Sequence, residues 1–238
     1  MRVKNHSKLL IVCSLLLAIF LFAACTTGNT PVEGTQQAAP TNASSQGSAP
    51  QSPEEWRAYI VSAFRASNEQ SWRYESDTVI GGEIGDQTTI EYEPPDRYHI
   101  TGQPDVDIII VGNQVFAKQN QIWVLLNVPA ASVIDPDSLN RLEKTMRYVQ
   151  CSGPETVNGK AMYVCQYTHL AKVGSSENEV QSKLWIDSTT NLPYQLITDG
   201  LVASMRVETG EIQTQQATRS IIYTYDPTIK IFAPQLPQ

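Results

Sequence analysis

The chain has 238 residues, of which 41% are hydrophobic, and a formal net charge of −7 at pH 7. An acidic chain without clustered Lys and Arg disfavours nucleic acid and polybasic contact with anionic lipid. The length suits one ordinary domain plus processing segments, and no internal repeat indicates a solenoid or propeller.

The first 24 residues have the pattern of an export signal. Arg2, Lys4 and Lys8 precede the apolar run 9–24, and Cys25 follows at once. A cationic start, an apolar middle and small residues before the cut are typical of a secretory signal peptide. The 16 residues of the run are fewer than the roughly 20 that a membrane-spanning helix needs.

Residues 21–25, Leu-Phe-Ala-Ala-Cys, resemble the bacterial lipobox, in which the cysteine is acylated and becomes the new N-terminus. The resemblance implies that residues 1–24 are removed and that Cys25 carries the lipid, palmitate included. Two or more acyl chains anchor a protein stably. The mature chain would keep 14 basic and 24 acidic side chains, a net charge of −10. We expect it on the outer face of the cytoplasmic membrane, facing the periplasm where one exists, or in the outer membrane if the host has one.

Residues 25–51 predict a disordered tether. They are rich in Gln, Ala, Ser, Thr, Pro and Gly and contain almost no large apolar side chain. Such a segment cannot bury enough surface to offset its ordering entropy. Residues 52–238 then form the single folded domain.

The folded domain begins with a predicted helix. Ser52 is a suitable N-cap, Pro53 occupies the first helical position, and Glu55 completes a capping box. Trp56 and Phe64 belong to an apolar face at helical spacing. That face is expected to pack on a sheet.

From Trp72 onward the hydrophobic period changes to two, which predicts a series of short antiparallel strands. The early strands present alternating apolar residues through Ile110, with breaks at Pro94-Pro95 and Gly112-Asn113. Later strands are expected near residues 180–187, 194–198, 201–208 and 218–226, with a short closing strand near 229–232. We predict an α+β fold: a large curved antiparallel sheet of ten or eleven strands with two or three helices on its concave face.

Between the two sets of strands, Asp135-Pro136 predicts a second helix that runs to about Tyr148. A hairpin follows. Val157-Asn158-Gly159 predicts its three-residue loop, which would place Cys151 opposite Cys165. Cys13 lies in the predicted signal peptide and Cys25 is the predicted lipid site, so Cys151 and Cys165 are the remaining pair. In an exported chain such a pair predicts a disulfide bond.

Catalytic motifs are missing from the sequence: it contains no nucleophile elbow, P-loop, dinucleotide fingerprint or HExxH segment. The carboxylate pairs, such as Asp135 with Asp137, fall where helix N-termini favour acidic residues. His99 and His169 are far apart in sequence and lack the spacing of a zinc site. We therefore expect neither an enzyme nor a bound metal or cofactor.

Several short motifs, in their order along the chain, resemble one superfamily. They are Tyr92-Glu93-Pro94-Pro95-Asp96-Arg97-Tyr98, Val111-Gly112-Asn113-Gln114-Val115-Phe116, Ile134-Asp135-Pro136 and Leu184-Trp185-Ile186-Asp187. The chain is similar to the bacterial lipoprotein-sorting and lipid-carrier proteins of the LolA-like and LppX/LprG-like superfamily. The resemblance implies a half-open β-barrel whose concave face, covered by helices, receives acyl chains.

The expected function is to bind a lipid or other amphiphile in an apolar cavity, for carriage, transfer or sensing at the cell envelope. The cavity is expected to be lined by alternating apolar residues of the strands: Trp72, Tyr74, Ile90, Tyr92, Tyr98, Ile108, Ile110 and Trp123. Two alternatives stay open. The same fold could serve as an interaction or sensor module with a packed core, which binds an envelope protein, or, less favoured, as a hydrolase of envelope polymers.

Overall fold

The computed structural model describes residues 49–102, 106–173, 176–205 and 212–237. The predicted signal peptide, Cys25 and most of the predicted tether lie outside these residues. The described part contains 11 strands, two α-helices and one 3-10 helix. In chain order these are α1 (Pro53–Ser67), β1 (Trp72–Ile80), β2 (Glu83–Glu93), β3 (Arg97–Gly102), β4 (Val106–Val111), β5 (Gln114–Gln119), β6 (Ile122–Leu126), the 3-10 helix (Ala130–Ser132), α2 (Ser138–Thr145), β7 (Arg147–Val157), β8 (Lys160–Val173), β9 (Ser176–Asp187), β10 (Pro193–Met205) and β11 (Ile212–Tyr225).

All strands belong to one antiparallel sheet with the order β6-β5-β4-β3-β2-β1-β11-β10-β9-β8-β7. Two meanders, β1–β6 and β7–β11, meet where β1 pairs with β11. The sheet is open, with β6 and β7 as its edges, and the chain passes from one edge to the other through the 3-10 helix and α2. Buried residues of α1 and α2 share one hydrophobic core with one face of the sheet. The predicted α+β fold is confirmed.

Helix α1 begins as its sequence predicts. Ser52 Oγ accepts a hydrogen bond from the Glu55 amide at 3.2 Å, and Glu55 Oε2 accepts one from the Ser52 amide at 3.1 Å. This reciprocal capping box satisfies amide groups that have no partner inside the helix. Ile60, Val61 and Phe64 are buried against the sheet.

Helix α2 is shorter than predicted, because it begins at Ser138 and ends at Thr145. Asp135 does not cap it. Its carboxylate accepts hydrogen bonds from the Asp137 amide and from the Arg141 guanidinium, so the chain turns before the helix starts. At the other end Met146 is extended, with ψ of 130°, and leads directly into β7.

Two strand predictions were wrong. The strands expected near 194–198 and 201–208 are one strand, β10, because residues 195–205 pair with β11 without a break at Gly200. Residues 206–208 lie outside the described part of the chain. The expected closing strand near 229–232 is not formed, and this segment belongs to no helix or strand. Ile231 is held there by Glu93, which accepts from its amide, and by Arg97, which donates to its carbonyl.

The disulfide hairpin pairs Cys151 with Cys165, with Cα atoms 4.1 Å apart. Its loop has two residues, Asn158 and Gly159, both at positive φ, and not the predicted three. A two-residue loop alone would offset the cysteines by one position. The register shift between Ser152 and Glu155 restores their pairing, as an extra residue in one strand does.

Candidate functional site

The candidate site is the sheet face beneath the two helices. Its side chains form one continuous apolar surface, in which every second residue of each strand points toward the helices. The buried members from the sheet are Trp72, Tyr74, Ile90, Tyr92, Tyr98, Ile100, Ile108, Ile110, Val115, Ala117, Cys165, Tyr167, Leu184, Ile186, Leu196, Ile221 and Tyr223.

A row of residues crosses this face at the level where α1 ends. Tyr225, Trp72, Tyr92 and Tyr98 lie directly opposite one another on β11, β1, β2 and β3, and the row continues through Ile110 on β4. The ring centroids of Trp72 and Tyr92 are 5.2 Å apart, and those of Tyr92 and Tyr98 are 4.8 Å apart. Contacts of this length between tilted rings stabilise beyond their area burial, by about 0.5–1.5 kcal/mol each. We call Tyr225, Trp72, Tyr92 and Tyr98 the aromatic row.

Two members of the aromatic row hold the end of α1. The Tyr92 hydroxyl donates to the carbonyl oxygens of Asn68 and Pro95, each at 3.0 Å. The Tyr225 hydroxyl donates to the Pro193 carbonyl at 3.0 Å and lies 3.2 Å from Ser67 Oγ. The C-terminal end of the helix is therefore attached to both β2 and β11.

The other two members have polar atoms without a partner. Trp72 Nε1 and Tyr98 Oη are buried and make no hydrogen bond within the described part of the chain, and the same holds for Asn68 Nδ2. Both aromatic residues are 3% exposed. A buried donor left unpaired costs roughly 1–3 kcal/mol, so these three atoms are the least satisfied part of the site.

Deeper in the site the surface changes from polar aromatic to aliphatic. Tyr74 stacks on Trp72 at 5.4 Å and meets Tyr223 at 5.8 Å. From Tyr74 a second row continues across the sheet through Ile90 on β2, Ile100 on β3 and Ile108 on β4. The site thus has a polar aromatic end beside the α1 terminus and an apolar interior.

Burial keeps the phenols of this face protonated. It raises the pKa of Tyr92 to about 12, with a smaller contribution from the Asp96 carboxylate. Burial also raises the pKa of Tyr98 well above its ordinary value, and Tyr92 and Asp96 make smaller contributions in the same direction. Each hydroxyl therefore stays a hydrogen-bond donor at neutral pH.

Seven of the eight predicted lining residues lie on this face, each 0–4% exposed. They are Trp72, Tyr74, Ile90, Tyr92, Tyr98, Ile108 and Ile110. Trp123 is a correction, because it lies on the opposite face. It pairs with Lys118, whose Nζ lies 5.7 Å from the indole centroid. The β5–β6 turn has Asn120 and Gln121 at positive φ. This two-residue turn decides which face of the sheet each residue of β6 occupies, and the sequence alone did not show that.

Ten of the buried sheet residues of the site were not predicted as part of it, and neither were Tyr225 and Asn68. Tyr223 and Tyr225 follow the same period of two in β11, so the alternation in 218–226 was the signal for them. Asn68 had no such signal, since its place beside Tyr92 depends on how α1 docks on the sheet.

The helices are joined to their surroundings mainly near the surface. Arg65 of α1 makes an ion pair with Glu143 of α2 at 2.6 Å, with side chains 54% and 44% exposed. The Tyr59 hydroxyl of α1 donates to Asn191 Oδ1 at 2.5 Å. Exposed pairs of this kind are worth about 0–1 kcal/mol, so the contact between helices and sheet depends chiefly on apolar packing.

The outer face of the sheet is polar. Glu91, His99, Asp107 and Lys118 form a ladder across β2 to β5, in which His99 Nε2 lies 3.0 Å from Asp107 Oδ1. Further along, a depression of about 400 Å³ is lined by Tyr148, Gln150, Gln166, Tyr167, Thr168, Gln181, Ser182, Lys183 and Asp199. Tyr167 of its lining also belongs to the hydrophobic core, and none of its lining residues belongs to the aromatic row.

The described ranges contain neither a cluster of metal ligands nor a membrane-spanning helix. No group of three or more His, Cys, Asp and Glu side chains there is arranged to hold a metal ion. None of the helices in 49–102, 106–173, 176–205 or 212–237 has the length and apolarity needed to cross a bilayer.

No protein-family model and no curated protein sequence matches the chain. Among solved structures, the chain is similar to the lipoprotein LppX of Mycobacterium tuberculosis, with 13% identity and a TM-score of 0.50 over 76% of this chain and 100% of LppX. A DUF1329 family protein from Desulfovibrio piger matches with 11% identity and a TM-score of 0.34 over 74% of this chain and 94% of its own. A LolA superfamily protein from Nitrosomonas europaea matches with 10% identity and a TM-score of 0.29 over 76% of this chain and 94% of its own. The superposition on LppX shows that the chain has the LppX-like fold, as its sequence motifs predicted.

Proposed function

We propose that this chain is an envelope lipoprotein that binds a lipid or other amphiphile between its helices and the sheet, and carries, transfers or senses it. The observation that supports this most is the continuous apolar face from the aromatic row to Ile108, covered by two helices rather than by a second sheet. Clefts with apolar walls and a few polar groups are the usual sites for small hydrophobic ligands.

Ligand entry would require the helices to move. Burial of an acyl chain contributes roughly 0.8 kcal/mol per methylene, so a long chain can replace the apolar contacts that α1 and α2 make with the sheet. The exposed Arg65–Glu143 pair offers little resistance to such a movement. The protein would therefore exchange between a closed form and a ligand-bound form whose populations the ligand shifts.

The proposed location follows from the N-terminus. Acylation of Cys25 would hold the domain on the outward face of a membrane, at the end of the tether 25–51. From there it could receive or deliver a lipid while anchored, and a loading or unloading partner in the envelope fits this role. LppX, which has the same fold, is itself described as a lipoprotein.

A second candidate is an interaction module with a filled core. The observation in its favour is the burial of the seven lining residues, each 0–4% exposed, since side chains packed to this extent leave them no contact with solvent. In that case the function would reside on the loops and the outer face. A catalytic role has no comparable support among the described residues.

Native mass spectrometry of the full-length protein, released from its membrane in mild detergent, tests the proposal. We expect a stoichiometric acylated species in addition to the covalent anchor, which lipid extraction then identifies. A mass that corresponds to the anchored protein alone, unchanged after incubation with phospholipid vesicles, would exclude the carrier and favour the interaction module.

A further inference from the structure

The three residues with unpartnered polar atoms are all neighbours of Tyr92. Tyr92 lies between Trp72 and Tyr98, with ring centroids 5.2 Å and 4.8 Å from its own. Its hydroxyl donates to the backbone carbonyl of Asn68 at 3.0 Å. Trp72, Tyr98 and Asn68, each with a buried polar atom that has no partner among the described residues, therefore adjoin one tyrosine whose own hydroxyl is satisfied.

The three atoms share one chemistry. An indole N–H and an amide NH₂ only donate, and a protonated phenol can donate as well as accept. The Tyr98 phenol is protonated at neutral pH, and burial, Tyr92 and Asp96 raise its pKa further. Together they form a donor cluster at the edge of an apolar surface.

The local charge selects among acceptors. Asp96 directly follows Pro95, whose carbonyl accepts a hydrogen bond from Tyr92, and its carboxylate contributes to the raised pKa of both Tyr92 and Tyr98. A negative group beside the donors disfavours a second carboxylate or a phosphate and leaves neutral oxygen acceptors as the better partners.

We propose that Asn68, Trp72 and Tyr98 bind the polar group of the ligand, and that this group is an uncharged hydrogen-bond acceptor such as an ester carbonyl. The inference rests on the proposed lipid-binding function and names the ligand class. The acyl chains then extend from the aromatic row along Ile90, Ile100 and Ile108. The ligand enters with its polar group beside the end of α1, where Tyr92 and Tyr225 hold the helix.

The test compares Tyr98→Phe with Tyr225→Phe in the full-length protein. Both substitutions remove one hydroxyl from the aromatic row, but the Tyr225 hydroxyl already donates to Pro193 and is not available to a ligand. The probes are the hydrocarbon diphenylhexatriene, which has no acceptor, and monopalmitin, which has an ester. Titration with diphenylhexatriene gives the dissociation constant of the hydrocarbon, and its displacement by monopalmitin then gives that of monopalmitin.

We expect Tyr98→Phe to weaken monopalmitin binding about fivefold to tenfold, as loss of one hydrogen bond does, and to leave the hydrocarbon unaffected. Tyr225→Phe should change both constants by the same factor, because its hydroxyl holds the end of α1 and does not bind the ester. Asn68→Asp, which exchanges a donor for a carboxylate, should weaken monopalmitin at least as much. Ionised palmitate at pH 8 should bind more weakly than monopalmitin.

The outcomes separate the two proposals. If diphenylhexatriene binds all variants and Tyr98→Phe does not alter the affinity for monopalmitin, the polar subsite is wrong and lipid binding stands. Tighter binding of palmitate than of monopalmitin would show that the polar group of the ligand is not restricted to uncharged acceptors, and would overturn that part of the proposal. If no probe binds the wild-type protein, the proposed lipid-binding function is itself wrong.

Discussion

Tyr92 and Tyr98 face each other directly across β2 and β3, with ring centroids 4.8 Å apart, and only one of them has its hydroxyl satisfied. The Tyr92 hydroxyl holds the C-terminal end of α1, whereas that of Tyr98 has no partner among the described residues. Two chemically identical side chains, equally buried, thus have opposite effects on the stability of the ligand-free domain.

Phenylalanine at each position gives the first prediction. Tyr92→Phe should lower the free energy of unfolding by about 1–2 kcal/mol, because two carbonyl oxygens lose their donor. Tyr98→Phe should raise it by about 1 kcal/mol, because an unsatisfied buried hydroxyl is removed. Urea unfolding of the ligand-free protein measures both. Equal losses in the two variants would show that the Tyr98 hydroxyl is satisfied in solution.

His169 should make stability depend on pH. Burial, followed by the Arg141 guanidinium, lowers the pKa of His169 from 6.5 to about 4. Between these values the unfolded chain binds a proton that the folded chain does not, so stability falls as pH decreases from about 6.5 to about 4. The loss approaches about 3 kcal/mol at the lower end.

The comparison for this prediction is His169→Phe, which should lose less stability over the same interval. His169 lies 3.5 Å from Ser182 Oγ, and Arg141 is itself paired with Asp135 and Glu177. The same ion pairs are present in both proteins, so the difference between the two unfolding profiles isolates the histidine. Parallel profiles would show that His169 is not the cause of the pH dependence.

The disulfide should contribute to global stability. Cys151 and Cys165 are separated by 14 positions, and a bridge that closes a loop of this size is worth about 3 kcal/mol in the chain-entropy model. The double variant Cys151→Ala, Cys165→Ala should therefore unfold at lower urea. Wild-type protein treated with a reductant should behave in the same way, and a reductant should not affect the double variant.

Two glycines of the same hairpin should differ in their tolerance of a side chain. Gly153 has φ of +115°, and a Cβ there would lie 2.7 Å from the Met162 carbonyl oxygen. Gly159 has φ of +77° with nothing within 4 Å. Gly159→Ala should cost about 1 kcal/mol from backbone strain alone.

Gly153→Ala should cost more than Gly159→Ala, since the backbone itself must move. Thermal unfolding of the two variants tests the order. Equal costs would indicate that the strands around Gly153 separate readily, and the register shift that pairs the cysteines would then be a weak feature.

Lipidation at Cys25 should be abolished by Cys25→Ala, with loss of palmitate labelling and of membrane association. Cys13→Ala is the matched control, because Cys13 lies inside the predicted signal peptide and its loss should leave labelling intact. Membrane retention of the unlabelled Cys25→Ala variant would mean that another part of the chain provides the anchor.

Local patterns in the sequence determined much of the fold. The capping box at Ser52, the period of two from Trp72 onward and the cysteine pair each act over a few residues, and each corresponds to a feature of the structure. Seven of the eight residues chosen for the site share one face because alternation along a strand is set by backbone geometry alone.

Turn conformation and strand pairing, which alternation does not reveal, were decided only by the tertiary structure. The face that Trp123 occupies followed from the conformation of the β5–β6 turn, and the continuation of β10 through Gly200 followed from its unbroken pairing with β11. The pairing of Cys151 with Cys165 needed both a shorter loop and a register shift, which compensate each other. The difference between Tyr92 and Tyr98 arises from the docking of α1. Hydrogen-bond partners brought together by that docking are remote in sequence, so no local pattern encodes which hydroxyl they satisfy.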